Sequence, residues 1–286
     1  MTLLATLIIV LLSTSTPSVD ATIETVSVPG IERALRIDDR LVVGASPSVA
    51  SYRSLHELGI RVVVSVDGKP PDLEVIRAAG LRSIHLPIDY SGIEPDRLRS
   101  LARLAATETE PVYVHCHHGR HRAPAAAAIL WMLRTSGSPD AALGILEKAG
   151  TARAYSGLWS AVRTHRAPDG SCLDAPLPER VEVAGIIASM IEIDRLREAL
   201  EIEPVTGHAG GDDSAILVLE QLRELDRLDP TGRVGDRWWV MDLDASIRAA
   251  EALVAHVPDP GRPDLRRTLL DRLDATCTAC HARHRR

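Results

Sequence analysis

Short apolar runs alternate with longer amphipathic segments between residues 22 and 166. The runs have the length and the β-branched content of buried strands and span residues 34–37, 41–44, 61–66, 81–88 and 111–114. The longer segments are predicted helices and span residues 46–57, 72–79, 94–106, 122–135, 139–149 and 153–165, of which 122–135 is apolar over residues 125–133. Alternation of strands and helices predicts an α/β domain with a mostly parallel sheet flanked by helices. We assign this domain to residues 22–166.

After residue 180, every apolar segment has helical period instead. The first of these segments carries a stripe of apolar residues at Ile186, Met190, Ile193 and Leu200. Further helices are predicted at residues 215–228 and 241–256, and a fourth begins at Pro263. Four helices with turn-rich connections predict an all-α four-helix bundle over residues 181–286. The proline-rich segment 167–180 is the predicted linker.

The extreme N-terminus carries an apolar run at residues 3–12, followed by Ser, Thr and Pro. Although no Lys or Arg precedes this run, the arrangement predicts a signal peptide over residues 1–21, with cleavage after Ala21. Ten apolar residues are too few for a stable membrane span. The expected location is therefore periplasmic or secreted.

Length and composition add four constraints. The chain has 286 residues, which suits two domains of moderate size, and a net charge of −6, which gives no general attraction to nucleic acid. It has no Phe, so aliphatic side chains must build the cores, and Trp238 and Trp239 are expected to be buried at one end of the bundle. Its four cysteines do not form the pattern of a disulfide framework.

The stretch with the most distinctive chemistry is residues 115–124, HCHHGRHRAP, which lies between a predicted strand and a predicted helix. Such a loop can point its backbone N–H groups at a phosphate, with help from the positive end of the helix. Gly119 allows the tight turn, and Arg122 can bind two phosphate oxygens through its planar guanidinium. The same positive field is expected to lower the pKa of Cys116, which makes its thiolate a nucleophile.

Neighbouring residues add candidates and alternatives. His115 is expected to support the loop, and the predicted phosphate-binding residues are His117, His118, Gly119, Arg120 and His121, with solvated loop side chains as the alternative for the three histidines. The crowded histidines also allow a metal site, but that interpretation gives no role to Gly119 or Arg122. A sulfur-transfer loop of the rhodanese type is another alternative, although its Cys-to-Arg spacing is one residue shorter.

The motif His115-Cys116-x-x-Gly119-x-x-Arg122 resembles the signature of the cysteine-dependent protein tyrosine phosphatases, and the short domain resembles their dual-specificity branch. The resemblance covers roughly residues 25–165 and implies a phosphocysteine intermediate. Ester cleavage also needs a proton donor. Asp89 follows a predicted strand and resembles the general acid of the dual-specificity enzymes. Its alternative role is a turn, and Asp96 is the reserve candidate.

One position departs from many members of this family. They place Ser or Thr directly after the motif arginine, whereas this chain has Ala123 followed by Pro124. The Arg-Ala-Pro sequence resembles the regenerating-liver phosphatase subgroup. This resemblance implies slow hydrolysis of the phosphocysteine intermediate.

The last predicted helix ends in Cys277-x-x-Cys280-His281, the spacing of c-type haem attachment. With the bundle and Arg285, it resembles cytochrome c-prime over roughly residues 181–286, although His284 replaces an aromatic residue of that family. The resemblance implies haem c bound to both thiols. His281 would then be the axial ligand to the iron, and Met190 a possible distal neighbour. A redox pair, a disulfide or a zinc site completed by His281 and His284 are the alternatives.

The preferred function is therefore an exported phosphatase that hydrolyses phosphomonoesters of proteins or small molecules and carries a haem-binding bundle. A redox partner is possible for that bundle. The first alternative is a catalytically weak phosphate-binding module attached to a c-type cytochrome that carries electrons or senses gases. A zinc-stabilised interaction module is the second alternative.

Overall fold

The computed structural model of the 286-residue chain describes residues 21–153, 155–166, 172–181, 186–202, 211–228, 237–256 and 263–284. The predicted signal peptide falls outside these ranges except for Ala21, and Arg285 also lies outside them. Among the described helices, none is long and apolar enough to cross a membrane.

The N-terminal domain is built on a mixed sheet of six strands in the order β1-β2-β3-β6-β4-β5. The strands are β1 (Glu24–Thr25), β2 (Leu35–Asp38), β3 (Leu41–Gly44), β4 (Val62–Ser65), β5 (Arg82–His85) and β6 (Val112–His115). The first three strands pair antiparallel, whereas β3, β6, β4 and β5 pair in parallel. All residues of β3, β4 and β6 are buried, as expected for central strands covered on both faces.

Six helices belong to this domain, namely α1 (Ser51–Glu57), α2 (Leu73–Ala78), α3 (Pro95–Thr107), α4 (Arg122–Thr135), α5 (Pro139–Ala149) and α6 (Ser156–Arg163). On one face of the sheet, α1 and α2 pack through Leu55 and Ile76 against side chains that include Tyr113. On the other face, residues of α3 to α6 share a core with the alternate strand residues, such as Val112 and Val114. The sheet flanked by helices agrees with the predicted fold class.

Several predicted boundaries need correction. The helix predicted over residues 46–57 begins only at Ser51, because the Ser48 hydroxyl accepts a hydrogen bond from the Ser51 N–H and forms a turn there. The strand predicted over residues 81–88 is limited to β5, and Pro87, which has no N–H for a sheet ladder, lies beyond its end. The helix predicted over 153–165 is also shorter, since α6 begins at Ser156.

Four helices follow: α7 (Ile186–Ile202), α8 (Gly211–Leu228), α9 (Arg237–His256) and α10 (Pro263–His284). They share one apolar core, which is consistent with the predicted four-helix bundle. The third helix begins four residues earlier than predicted, so Trp238 and Trp239 lie in its first turn. Trp239 is buried as expected, but Trp238 is 57% exposed, since the two side chains point to different sides of the helix.

Two segments connect the helical region to the α/β domain. Residues 172–181, which overlap the predicted linker, run beside β5 and α3: the Pro178 carbonyl accepts from the His85 N–H at 2.8 Å, and the Ser100 hydroxyl donates to the Pro176 carbonyl. The second segment is α8, whose Leu217 packs against both apolar cores. These contacts place α8 against the α/β domain.

Candidate active site

Cys116 directly follows β6, at the carboxyl end of the parallel strands. Ligands of such sheets bind at this edge, because loops and helix N-termini converge there. The side chain of Cys116 is buried, with 3% exposure. The loop after it is attached to the end of β3, since the Ser46 N–H donates to the His117 carbonyl at 2.9 Å.

Gly119 determines how tightly this loop can turn. Its φ is +68°, in the left-handed region that favours glycine. A Cβ atom at this position would lie 2.3 Å from the carbonyl carbon of Gly44 and 2.4 Å from the N atom of Ala45. Both neighbours are backbone atoms and cannot rotate away, so the loop requires glycine here for conformation and for space.

Arg122 is the first residue of α4 and is only 2% exposed. Its Nη2 donates to Asp67 Oδ1 at 2.9 Å, and its Nη1 donates to Glu224 Oε1 at 2.7 Å. Its guanidinium also lies 4.2 Å from the ring centre of Tyr90. Burial opposes the charge, but Tyr90 and Asp67 raise the pKa of Arg122 above its ordinary value, so the guanidinium stays protonated.

Asp67 is a site residue that the sequence analysis missed. It lies just beyond β4, is 4% exposed and binds both Arg122 and Arg227. Burial favours its neutral form, but the two guanidinium groups outweigh that effect and lower the pKa of Asp67 below its usual value. An acidic residue that follows a buried, valine-rich strand, at the same sheet edge as Cys116, was the available signal.

Asp89 lies beyond β5 in a half-buried position. Its Oδ1 accepts from the Ser91 N–H at 2.8 Å, which is the turn that the sequence also allowed. Its Oδ2 accepts from Gln221 Nε2 at 3.1 Å, on the helix that covers the site. The reserve candidate Asp96 lies in the first turn of α3, where its exposed carboxylate pairs with Arg99.

His115 is buried beneath the loop, and its ring stacks on that of Tyr113 with 6.0 Å between centres. Burial lowers the pKa of His115 to about 4, so its ring is neutral near pH 7. The Tyr113 hydroxyl donates to the Ala45 carbonyl at 2.6 Å, on the segment that also holds the loop. His115 is thus a buried, neutral residue next to Cys116, with its ring against Tyr113.

The other loop side chains point in different directions. His117 and His118 are exposed with ring centres 4.2 Å apart, whereas the ring of His121 lies 4.1 Å from that of Tyr155. Partial removal from solvent is the largest cause of a lowered pKa at all three histidines, nearby arginines are the next, and the pKa of His121 falls to about 3. Arg120 donates to the Gly150 carbonyl at the end of α5.

One face of α8 closes over the site through Glu220, Gln221, Glu224 and Arg227. Glu220 accepts from the Tyr155 hydroxyl, and Gln221 donates to Asp89. Glu224 accepts from Arg122, and Arg227 donates to Asp67. The sequence gives no local motif for this contact, because the residues lie about 100 positions after the loop and read as an ordinary polar face of a helix.

A separate cavity of about 260 Å³ lies within the helical region. Its lining includes Met190 on α7, and Cys277, Cys280 and His281 on α10. No disulfide joins the two cysteines, and burial, followed by Asp274, raises the pKa of Cys277. Among the described residues, no group of three His, Cys, Asp or Glu side chains is placed to hold a metal ion.

Comparison with known proteins gives a family match over part of the chain. The family model described as "Tc-R-P: Polymorphic toxin system, DSP-PTPase phosphatase" matches residues 40–136. No curated protein matches the chain.

Several solved structures are similar to part of the chain. P. aeruginosa TpbA is 26% identical, with a TM-score of 0.44 over 51% of this chain and 91% of that chain. Tk-PTP in its active form is 17% identical, with a TM-score of 0.38 over 47% of this chain and 97% of that chain. Human DUSP28 is 18% identical, with a TM-score of 0.36 over 49% of this chain and 95% of that chain.

The family match includes Cys116, Gly119 and Arg122 and ends at residue 136, before the four C-terminal helices. These findings support a DSP/PTPase-like phosphatase domain over residues 40–136.

Proposed function

We propose that the α/β domain hydrolyses phosphomonoesters, of a protein or a small molecule, through a phosphocysteine intermediate on Cys116. One observation carries the proposal: Cys116 and the buried guanidinium of Arg122 lie at the two ends of one loop. Gly119, within that loop, lies directly against the backbone of Gly44. Nucleophile, anion-binding loop and cation thus meet at the carboxyl edge of the sheet. The family match over residues 40–136 supports the same chemistry.

The proposed reaction has two steps. The Cys116 thiolate attacks phosphorus, the P–O bond to the leaving group breaks, and Asp89 donates its proton to the leaving oxygen. Water then attacks the phosphocysteine with Asp89 as base, which releases inorganic phosphate and restores the thiolate. Arg122 and the backbone N–H groups of the loop hold the phosphoryl oxygens in both steps.

Rapid-quench kinetics with para-nitrophenyl phosphate tests this proposal. We expect a burst of para-nitrophenol, because Ala123 lacks the hydroxyl that would speed the second step. Cys116→Ser should abolish both the burst and the turnover, whereas Cys172→Ser, a matched control in the linker, should leave them unchanged. Turnover that persists in Cys116→Ser would contradict the proposal.

The same experiment separates the enzyme from the alternative, a phosphate-binding module with little catalysis. A module of that kind would bind orthovanadate through Arg122 but show neither burst nor turnover. We prefer the enzyme because Asp89 lies at the same edge of the sheet as Cys116, where a leaving group needs a proton.

For the helical region we propose a c-type haem site. The observation in its favour is the cavity where Cys277, Cys280 and His281 on α10 meet Met190 on α7. In this assignment both thiols would attach the haem and His281 would bind its iron, with Met190 as a further side chain lining the cavity. Bound haem would supply electron transfer with a redox partner or binding of a small gaseous ligand.

Expression in a strain competent in cytochrome c maturation tests the haem proposal. We expect a Soret band and a covalent mass increase that Cys277→Ala/Cys280→Ala removes. The absence of both in the wild-type protein would favour a disulfide, a redox pair or zinc, which thiol titration and metal analysis distinguish.

Haem attachment of this type takes place outside the cytoplasm, so we also propose that the protein is exported to the periplasm or secreted. The predicted signal peptide at residues 1–21 is the sequence feature behind this proposal. N-terminal sequencing of the mature protein should begin at Thr22. Protein of full precursor mass found only in the cytoplasm would contradict export.

A further inference from the structure

The strongest feature outside the proposed chemistry is the carboxylate that α8 inserts into the phosphate-binding site. Glu224 is 8% exposed, and its Oε1 accepts from Arg122 Nη1 at 2.7 Å. A Cβ atom on Gly68, on the loop after β4, would lie only 3.0 Å from the same oxygen. Glu224 therefore contacts both the loop after β4 and the guanidinium of Arg122 that the proposed reaction needs.

Four charged side chains form a closed ring around this point. Arg122 binds Asp67 and Glu224, and Arg227 binds the same two carboxylates. Two members of the ring, Asp67 and Arg122, come from the α/β domain, and the other two come from α8. The charges of the ring cancel, so both guanidinium charges are compensated without a ligand.

A phosphoryl group cannot bind Arg122 while this ring is intact. It carries close to two negative charges near neutral pH, and it needs the guanidinium that Glu224 already binds. Two anions in a buried site repel each other strongly, because the low dielectric screens them poorly. A carboxylate on a guanidinium is also a close chemical substitute for a phosphoryl oxygen pair.

We propose that Glu224 is an intramolecular competitor that occupies the phosphate position and must withdraw before substrate binds. This inference rests on the proposed phosphatase function, whose site it regulates. Gln221 takes part in the same inhibition, because its amide donates a hydrogen bond to the carboxylate of Asp89. The closed arrangement thus holds both the cation and the proposed proton donor.

The two faces of α8 suit such a movement. The contacts that α8 makes with Asp89, Arg122 and Asp67 are polar, so water can replace them, whereas Leu217 on the same helix packs against both apolar cores. The opposite side carries Leu222 and Leu225, which are buried in the core of the helical region. Leu222 also lines the cavity that contains His281, so the same helix borders both candidate sites.

Glu224→Gln tests the competitor directly, since glutamine keeps the shape and removes the charge. We expect inorganic phosphate to bind about 5-fold to 150-fold more tightly to this variant than to the wild-type protein, the range of ordinary coupling between sites. The kcat/KM for para-nitrophenyl phosphate should rise in parallel. Glu251→Gln removes the same charge from the neighbouring helix, where Glu251 pairs with Arg223 outside the site, and should change neither value.

A measurement on the wild-type protein covers the case in which the variant fails to fold. Saturating orthovanadate should speed amide hydrogen exchange in α8 around residues 220–227, because the helix leaves the site. Unchanged exchange there would overturn the proposal.

The outcomes distinguish the two proposals. Equal or weaker phosphate binding by folded Glu224→Gln overturns the competitor, whether or not the protein is an enzyme. Turnover with a burst in both proteins, at equal phosphate affinity, leaves the phosphatase standing without the competitor. Tighter phosphate binding in the variant, with no turnover in either protein, keeps the competitor and removes the phosphatase.

Discussion

Gly119 and Asp89 show how single residues shape this site in two different ways. Gly119 acts through geometry, because its backbone turns where no side chain fits. The role proposed for Asp89 is chemical, since its carboxylate, which accepts hydrogen bonds from Ser91 and Gln221, would serve as the acid of the reaction. Each role gives a separate prediction.

Replacing Gly119 by alanine should damage the loop. The positive φ costs about 1–3 kcal/mol for a residue with a side chain, and the clash with Gly44 must also move the loop. We expect phosphatase activity to fall about 100-fold, since small displacements of reacting groups have effects of this size. Activity assays and urea denaturation measure the two effects.

Gly59→Ala is the matched control. Gly59 also has a positive φ, of +96°, but a Cβ atom there meets nothing within 4 Å. This variant should lose some stability and keep its activity. Equal loss of activity in both variants would show that the contact with Gly44 has no special importance.

Asp89→Asn should slow the hydrolysis of an alkyl phosphate by about 100-fold to 10,000-fold, the usual contribution of a general acid. The effect should be much smaller with an aryl phosphate, because a good leaving group needs little protonation. Rates measured across pH for both substrates test this expectation. Asp96→Asn, at the exposed reserve candidate, should behave as the wild-type protein, and a wild-type rate in Asp89→Asn would exclude the proposed role.

At the scale of elements, α4 is the helix that fixes Arg122. Its residues 125–128 are four alanines, all with 0% exposure. Small side chains there let the helix pack closely against the sheet, so its N-terminus meets the loop after Cys116. The position of the guanidinium therefore depends on a packing distance that the alanines set.

Ala127→Leu should increase that distance. Extra methylene groups in a filled core cost about 1–3 kcal/mol, and the displaced helix should also lower activity. Chemical denaturation and a phosphatase assay test both expectations. Ala106→Leu, on the exposed side of α3, should have little effect. A fully stable and active Ala127→Leu variant would show that a larger side chain fits between α4 and the sheet without displacing the helix.

At the scale of the whole molecule, the buried site couples protonation to stability. Burial holds His115 neutral, with its pKa lowered from 6.5 to about 4, and two arginines lower the pKa of Asp67. Both groups take up protons less readily in the folded protein than in the unfolded chain. Acidification therefore favours the unfolded chain through each of them.

The free energy of unfolding should consequently fall as pH drops below about 6.5 toward 4. The His115 contribution amounts to about 2 kcal/mol between pH 7.5 and pH 5, for a pKa that falls from 6.5 to about 4. Urea denaturation at both pH values measures it. The His115→Gln variant, measured at the same two pH values, should lose less stability between them than the wild-type protein loses. An equal loss in both proteins would contradict the buried neutral histidine.

The sequence by itself determined the local features of this protein. Strand–loop–helix order, the Cys116 to Arg122 spacing and the need for Gly119 follow from periodicity and local stereochemistry, which neighbouring residues decide. The mostly parallel arrangement of the central strands also follows from alternation of strands and helices. These features can be read from the order of residues along the chain, although the space that Gly119 needs is set by Gly44 and Ala45, which are distant in sequence.

Only the tertiary structure decided what surrounds Arg122. Asp67 is 55 positions from it and Glu224 is 102, and no local pattern reports that two such carboxylates meet one guanidinium. The exposure of Trp238 and the late start of α1 likewise depend on packing and on one turn, which propensity does not specify. Long-range pairing is set by how whole elements pack, and the covering of the site by α8 is a result of that packing.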